Sequence, residues 1–353
     1  MNLPELKKDF YQRFNSSDNF LHFTANGLLC ALLGYTDIEY APSLTFTLSM
    51  RIQMFSRKMG GGLINIEESS TNKCFSYHLG TPSKLFRGKE KFIAELVESL
   101  NIYNQNGTDI LYDCSIPDFL PRKEVFSVAL AQSLFKVNNI EYDTTDIAAA
   151  CASLCDVTPL IGILSSQKGY CSHISSGKPQ KLPLPLSGYK IISAHCTEKD
   201  GDRSKYIKYA FDKINRIYPH VMSISDITPE IFNGAKNTIK DKTALRYMYH
   251  LTNENVRIKS ASDALKRCNI KMLFAEMKSS QKSMERFWDI GNEHITLAKC
   301  CENVEGIVAF RSWLNGIIAI TEEDKIDYVI DMIRHEFENN IGYHPTFCVS
   351  DAF

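Results

Sequence analysis

The chain has 353 residues, 44% of them hydrophobic and 23% charged, in the usual range for a globular protein. Forty basic side chains balance 41 acidic ones for a formal net charge of −1, which argues against a polyanion-binding surface and hence against a nucleic-acid partner. No apolar run reaches the roughly 18–20 residues needed to span a bilayer, so no membrane association is expected.

Length alone favours two domains. The eleven cysteines are odd in number and scattered, which fits free thiols in a reducing compartment, and we read the protein as cytoplasmic. Residues 1–18 read as a mixed-charge amphipathic helix without the features of a signal peptide. The stretch Phe20–Met50 is apolar and punctuated, and Arg51–Arg57 alternates as a strand does. Gly60-Gly61-Gly62 then leads into the strand pattern LINIEES. With no Lys-Ser/Thr and no helix start behind it, the glycine run reads as a hairpin turn rather than a phosphate loop.

Helices follow over Ser83–Tyr103, Glu124–Val137 and Thr144–Leu154, with a short strand over Asp109–Cys114. Cys151, Cys155, Cys171 and His173 have spacing that a zinc ion would accept, but buried free cysteine on a helix is the simpler account and we assign no metal. Pro179–Pro185 reads as a linker because proline favours extended backbone. Tyr189–Cys196 is a buried strand pattern. The second half is mostly helical, over Asp202–Ile217, Thr228–Asn237, Thr243–Arg267, Ile270–Arg286, Asp289–Cys301 and Lys325–Glu338. Two strand-like pieces flank Ser312–Gly316, with Asn315-Gly316 as the turn, and Thr346–Val349 reads as a last strand. The expected class is α+β, with an N-terminal domain over 1–185 and a C-terminal domain over 186–353.

The segment SLCDVTPLIGILSSQKGY, residues 153–170, resembles without gaps the galactokinase segment C-G-I-M-D-Q-F-A-S-A-L-G-K-x-G of the GHMP sugar kinases. Further colinear matches run along the chain. Residues 25–38, ANGLLCALLGYTDI, resemble A-P-G-R-V-N-L-I-G-E-H-T-D-Y, with Ala25, Gly27, Thr36 and Asp37 retained. His250-Leu-Thr-Asn-Glu254-Asn255-Val-Arg257 is similar to H-V-x-T-E-N-x-R-V. The stretch 277–284, MKSSQKSM, resembles M-x-E-S-H-x-S-L. The stretch from Gly306 to Ile317 keeps the flanking Gly306 and Arg311 of a second glycine loop that is here reduced to Gly316.

This resemblance implies a two-domain GHMP-kinase-like architecture with a cleft that holds sugar, ATP and Mg²⁺. It also implies that the chemistry is missing. The family base falls on Pro159, which has no acid–base group, and the family arginine falls on Leu28. The phosphate-loop position, 116–124, has no glycine and no serine, two prolines, and Asp118 and Glu124, which repel phosphate. On the sugar side, Asp37 and Tyr206 survive, while the family Glu and His fall on Gly34 and Tyr35.

The resemblance therefore implies a catalytically inactive or strongly impaired protein that binds a sugar or another metabolite, with a protein partner left open, no confident nucleotide-binding residue and no confident cofactor. One alternative is a diverged active carbohydrate kinase, using ATP and Mg²⁺, with Asp156, Asp113 or Asp118 as the acid. Another is an interaction scaffold whose pocket is plugged by Leu28, Leu160, Phe119 and Trp313.

Overall fold

The computed structural model describes residues 2–15, 20–27, 29–38, 41–102, 106–199 and 201–353. In chain order the elements are α1 (Leu3–Phe14), β1 (Leu21–Asn26), β2 (Leu29–Gly34), β3 (Ser43–Thr47), β4 (Arg51–Met59), β5 (Leu63–Glu68), β6 (Cys74–His78), α2 (Gly88–Ser99), β7 (Gly107–Cys114), α3 (Lys123–Val137), α4 (Thr144–Cys151), α5 (Val157–Leu164), β8 (Tyr170–Ser175), β9 (Lys178–Pro183) and β10 (Tyr189–His195). The remainder are α6 (Ser204–Ile217), α7 (Pro229–Ala235), α8 (Lys242–Leu265), α9 (Ile270–Phe287), α10 (Asn292–Glu302), β11 (Ile307–Trp313), β12 (Gly316–Glu322), α11 (Ile326–Ile341) and β13 (Thr346–Ser350). The mixture of helix and sheet is the expected α+β class. Among the described residues no helix is long and apolar enough to cross a membrane.

Residues 1–29 and 47–166 form one compact unit; residues 30–46 and 167–353 form the other. The sequence reading had divided the chain at 185/186, with 30–46 and 167–185 on the N-terminal side.

The first unit is built on a five-stranded sheet ordered β1-β4-β7-β5-β6. Its helix α1 starts on a capping box, in which Asn2 and Glu5 each accept from the other's backbone N–H. Leu6 and Phe10 of that helix pack on Phe55 and Leu111 of the sheet. Helix α3 carries apolar side chains all round and buries most of its length, as expected of a core helix.

The glycine run 60–62 does not make the expected hairpin. Strand β7 lies between β4 and β5, antiparallel to one and parallel to the other. Gly107 permits this insertion: a Cβ there would stand 2.3 Å from the Leu63 carbonyl oxygen.

The second unit holds two four-stranded sheets, ordered β2-β3-β8-β9 and β11-β12-β10-β13. The expected linker at 179–185 is instead largely strand β9, antiparallel to β8. It sits at the sheet edge, where proline's missing N–H costs no ladder bond. Helices α6, α8 and α9 pack in series, and α9 lies on β11. Helices α10 and α11 cover the β10–β12 sheet over a core that includes Ile192, Leu297, Ile317, Val329 and Phe337.

Strands β11 and β12 form the expected hairpin, but its two-residue loop is Leu314-Asn315, and Gly316 is the first residue of β12, opposite Trp313. Gly316 has no room for a side chain, since a Cβ would lie 2.0 Å from the Ala194 carbonyl oxygen. The turn therefore shifts back by one residue, and Leu314 takes a positive φ of 49°.

Candidate functional site

In the first unit the resemblance places the family base on α5 and the phosphate loop on the segment leading into α3. Pro159 sits in the first turn of α5, where a missing N–H is tolerated because those donors have no intrahelical partner. Leu160 beside it is fully buried. Asp156 precedes them as an exposed N-cap whose side chain makes no capping bond.

Two backbone donors at the loop into α3 have partners. Ser115 N–H donates to the Arg51 carbonyl at 3.0 Å and Leu120 N–H to the Pro117 carbonyl at 3.0 Å, while Pro117 and Pro121 have none to give. Ile116 and Leu120 are buried anchors for this loop. Asp118 pairs with Arg122, and burial pushes the Glu124 carboxyl in the first turn of α3 upward.

Beside that turn lies a cavity of about 270 Å³ lined by Lys89, Phe92, Tyr112, Arg122 and Lys123, among others. Its cations already have partners. Lys89 donates to the Tyr112 hydroxyl at 2.8 Å and stands 3.6 Å from Glu68. Arg122 is 3.9 Å from the same carboxylate, and Lys123 donates to the Leu154 carbonyl.

The remaining first-unit candidates differ in setting. Asp113 is buried in β7. Phe119, expected to help fill a pocket, is instead 45% exposed, because the loop anchors through Ile116 and Leu120. Leu28 lies outside the described residues.

The second unit carries a buried polar network around Gly34 and Tyr35. Gly34 ends β2 with a φ of +76°, and a Cβ there would stand 2.3 Å from the Pro42 carbonyl oxygen. Its N–H donates to Glu254 Oε1 at 2.9 Å, and its carbonyl accepts from Arg311 Nη2 at 2.9 Å. Glu254 also accepts from Ser280 Oγ at 2.8 Å and from Arg257 Nε at 2.7 Å, with Arg311 Nη2 3.4 Å away. Burial alone would raise the Glu254 carboxyl; the Arg311 and Arg257 guanidiniums outweigh it and hold the group at about 2.

The Tyr35 hydroxyl lies 2.8 Å from His250 Nε2, and His250 Nδ1 lies 2.8 Å from Ser283 Oγ. Burial is the main reason the His250 imidazole falls to about 3, so the ring is neutral and bridges the two hydroxyls with one donor and one acceptor nitrogen. The Tyr35 ring packs 4.5 Å from Trp288 and under the Arg311 guanidinium at 5.0 Å. Gly34 and Tyr35, on which the resemblance places the family's sugar-side Glu and His, are thus both tied into this network.

Asp37 is exposed and lines two cavities of this unit. The smaller, about 190 Å³, is walled by residues that include Tyr35, His294, Arg311, Ser312, Trp313 and Asn315. The larger, about 540 Å³, is an open groove along α6, with Lys205, Ile207, Phe211, Asp212 and Met222 among its walls. Tyr206 is half-buried on α6 and packs edge-on against Tyr247 at 5.8 Å. Trp313, another expected plug, is buried and forms part of the smaller cavity's wall. Among the described residues no group of three or more His, Cys, Asp and Glu side chains could hold a metal ion.

His294 and Ser312, both walls of the smaller cavity, were not singled out by sequence reasoning. A lone histidine in the run HITLA and a serine in a strand give no local signal.

No protein-family model matches the chain. It is 23% identical over 287 residues to the galactokinase of Clostridium acetobutylicum, which covers 73% of each protein. It is 24% identical over 189 residues to that of Halalkalibacterium halodurans, and there it spans only about half, 48%, of the relative's length. Among solved structures, Lactococcus lactis galactokinase complexed with galactose superposes with a TM-score of 0.84 at 16% identity, over 99% of this chain and 98% of that one. Methanococcus jannaschii mevalonate kinase gives 0.66 at 11% identity, over 96% and 100%. At these identities the structural likenesses show the fold.

Proposed function

We propose, from the premise that this chain is a galactokinase-like member of the GHMP kinase family, that it binds a monosaccharide without phosphorylating it efficiently. The observation that carries this reading is a contrast between the two units. Where the resemblance expects a base there is Pro159 in a helix turn, and where it expects a phosphate cradle Pro117 and Pro121 remove backbone donors and no glycine is present. Asp37, the retained sugar-side carboxylate, is exposed on the rim of two cavities.

Loss of a general base alone costs about 10²–10⁴ in rate. Phosphoryl transfer also depends on positioning and charge stabilisation, which the loop into α3 is poorly built to supply. The ligand of the Lactococcus lactis protein, galactose, is the natural first candidate. All eleven cysteines are free thiols, which supports a reducing, cytoplasmic location.

The test is twofold. Galactose should raise the thermal midpoint of the purified protein, since a ligand that binds only the folded state stabilises it. Transfer of labelled phosphate from ATP–Mg²⁺ to galactose should stay at background. Robust transfer overturns the reading in favour of a diverged kinase. For that alternative Asp156, exposed and without a capping bond, is the best-placed acid, and Asp156→Asn would then abolish turnover.

A further inference from the structure

The first unit holds, beside the loop into α3, a cavity of about 270 Å³, near the lower end of the range for small-molecule sites. Its described walls fall into two sets. Ile52, Phe92, Tyr112 and Phe126 are apolar or aromatic, and the three charged residues, Lys89, Arg122 and Lys123, are all cations. An apolar cavity with a few converging polar groups is the ordinary construction of a small-molecule site.

The aromatic part is layered. Tyr112 and Phe126 are buried and meet edge to face at 5.2 Å. Phe92 is half-buried and offers the more accessible ring. These side chains come from β7, α3 and α2, so packed elements rather than a loop set the floor.

The two lysines have partners that leave donors over. An ammonium carries three N–H groups. Lys89 gives one to the Tyr112 hydroxyl at 2.8 Å, and Glu68, at 3.6 Å, is beyond good hydrogen-bond range. Lys123 donates to the Leu154 carbonyl, a neutral acceptor. Both ammonium groups stand over aromatic rings, Lys89 5.5 Å from the Tyr112 centroid and Lys123 5.2 Å from that of Phe92. Such contacts are weak at exposed sites, and both lysines are exposed. Arg122 is more committed, with Asp118 and Glu68 beside it.

The neighbouring acids limit the charge that can enter. Glu68, Asp118 and Glu124 stand around the same cations. A polyanion meets several carboxylates there, whereas a single negative charge is served by the spare donors of two lysines.

We propose that this cavity binds a small aromatic monocarboxylate. The ligand ring lies on Phe92 over the Tyr112–Phe126 floor, and its carboxylate accepts hydrogen bonds from Lys89 and Lys123 at the rim. A nucleoside triphosphate is excluded on two grounds. Its charge meets the three acids, and the loop into α3 has Pro117 and Pro121 and no glycine to let a phosphate approach the backbone. The proposal is independent of the sugar-binding reading, which concerns the second unit.

The experiment is calorimetric titration of the full chain with naphthoate, naphthamide and ATP–Mg²⁺, using wild type, Lys89→Met, Lys123→Met and Lys84→Met. Naphthamide keeps the rings and removes the charge. Naphthoate should bind the wild type more tightly than either of the others. Lys89→Met and Lys123→Met should each weaken naphthoate roughly three- to tenfold, between the scale of an exposed ion pair and that of a buried charged hydrogen bond. Neither should change naphthamide affinity, which separates recognition of the carboxylate from a general loss of structure. Lys84 is an exposed cation outside the described lining residues, and Lys84→Met should leave both affinities unchanged.

Equal affinity for naphthoate and naphthamide, or unchanged naphthoate affinity in both Lys89→Met and Lys123→Met, overturns the assignment. So does a wild type that fails to bind naphthoate. ATP that binds more tightly than naphthoate and weakens in Lys89→Met overturns it in favour of a nucleotide site.

Discussion

Glu254 and Arg311 lie 3.4 Å apart, both almost wholly buried, and between them they take both backbone polar groups of Gly34. The ion pair therefore fixes the end of β2, the start of the segment that carries Tyr35 and Asp37. Glu254→Gln would leave Arg311 and Arg257 buried without their counter-charge. Breaking a buried pair from one side costs about 3–5 kcal/mol, and denaturant unfolding of the variant should report a loss of that size.

Acid should destabilise the fold in a defined window. His250 is held near 3, below its unfolded value of 6.5, and Glu254 near 2, below 4.5. In both cases the unfolded chain binds the proton more readily, so stability is fully present above pH 6.5 and falls as pH drops. His250 acts from about pH 6.5 down to 3, Glu254 from about pH 4.5 down to 2. His250→Gln should flatten the upper part of a thermal midpoint–pH curve, and an unchanged curve would contradict the assignment.

The hairpin at 314–316 should respond asymmetrically to substitution. Leu314→Gly relieves a left-handed residue and should change stability by no more than about 1 kcal/mol, since the gain and glycine's added unfolded-state entropy oppose each other. Gly316→Ala places a Cβ against the Ala194 carbonyl oxygen and should cost several times as much. Equal midpoints for the two variants would refute this account of why the turn shifted.

Restoring the base alone should not restore the reaction. Pro159→Asp returns a carboxylate to α5 but leaves the loop over 116–122 without a glycine and with Pro117 and Pro121 in place. Phosphate transfer to galactose should remain at background in this variant. A large recovery would mean that ATP already binds productively and that Pro159 was the single lesion.

Much of the fold was legible because it is local. The apolar periodicity of α8 and α9 and the helix read over the N-terminal residues each act within a few residues. Sequence patterns also carried the retained Asp37 and the substituted Pro159. What failed was local evidence asked to decide a nonlocal matter. Three glycines suggested a hairpin, but β7, some forty residues on, enters between the two strands. Three prolines suggested a linker, but two of them sit at the edge of a sheet, which accommodates them.

The sequence by itself determined the α+β class and most of the helices, since those follow from short-range periodicity. Only the tertiary structure decided what Gly34 and Tyr35 do. Gly34 and Glu254 are 220 residues apart in the chain and bonded in the fold. Ser312 Oγ and His294 Nδ1 are buried without a hydrogen bond because of how the elements pack around them. Whether a buried polar atom is satisfied depends on every element around it, and no stretch of sequence carries that information.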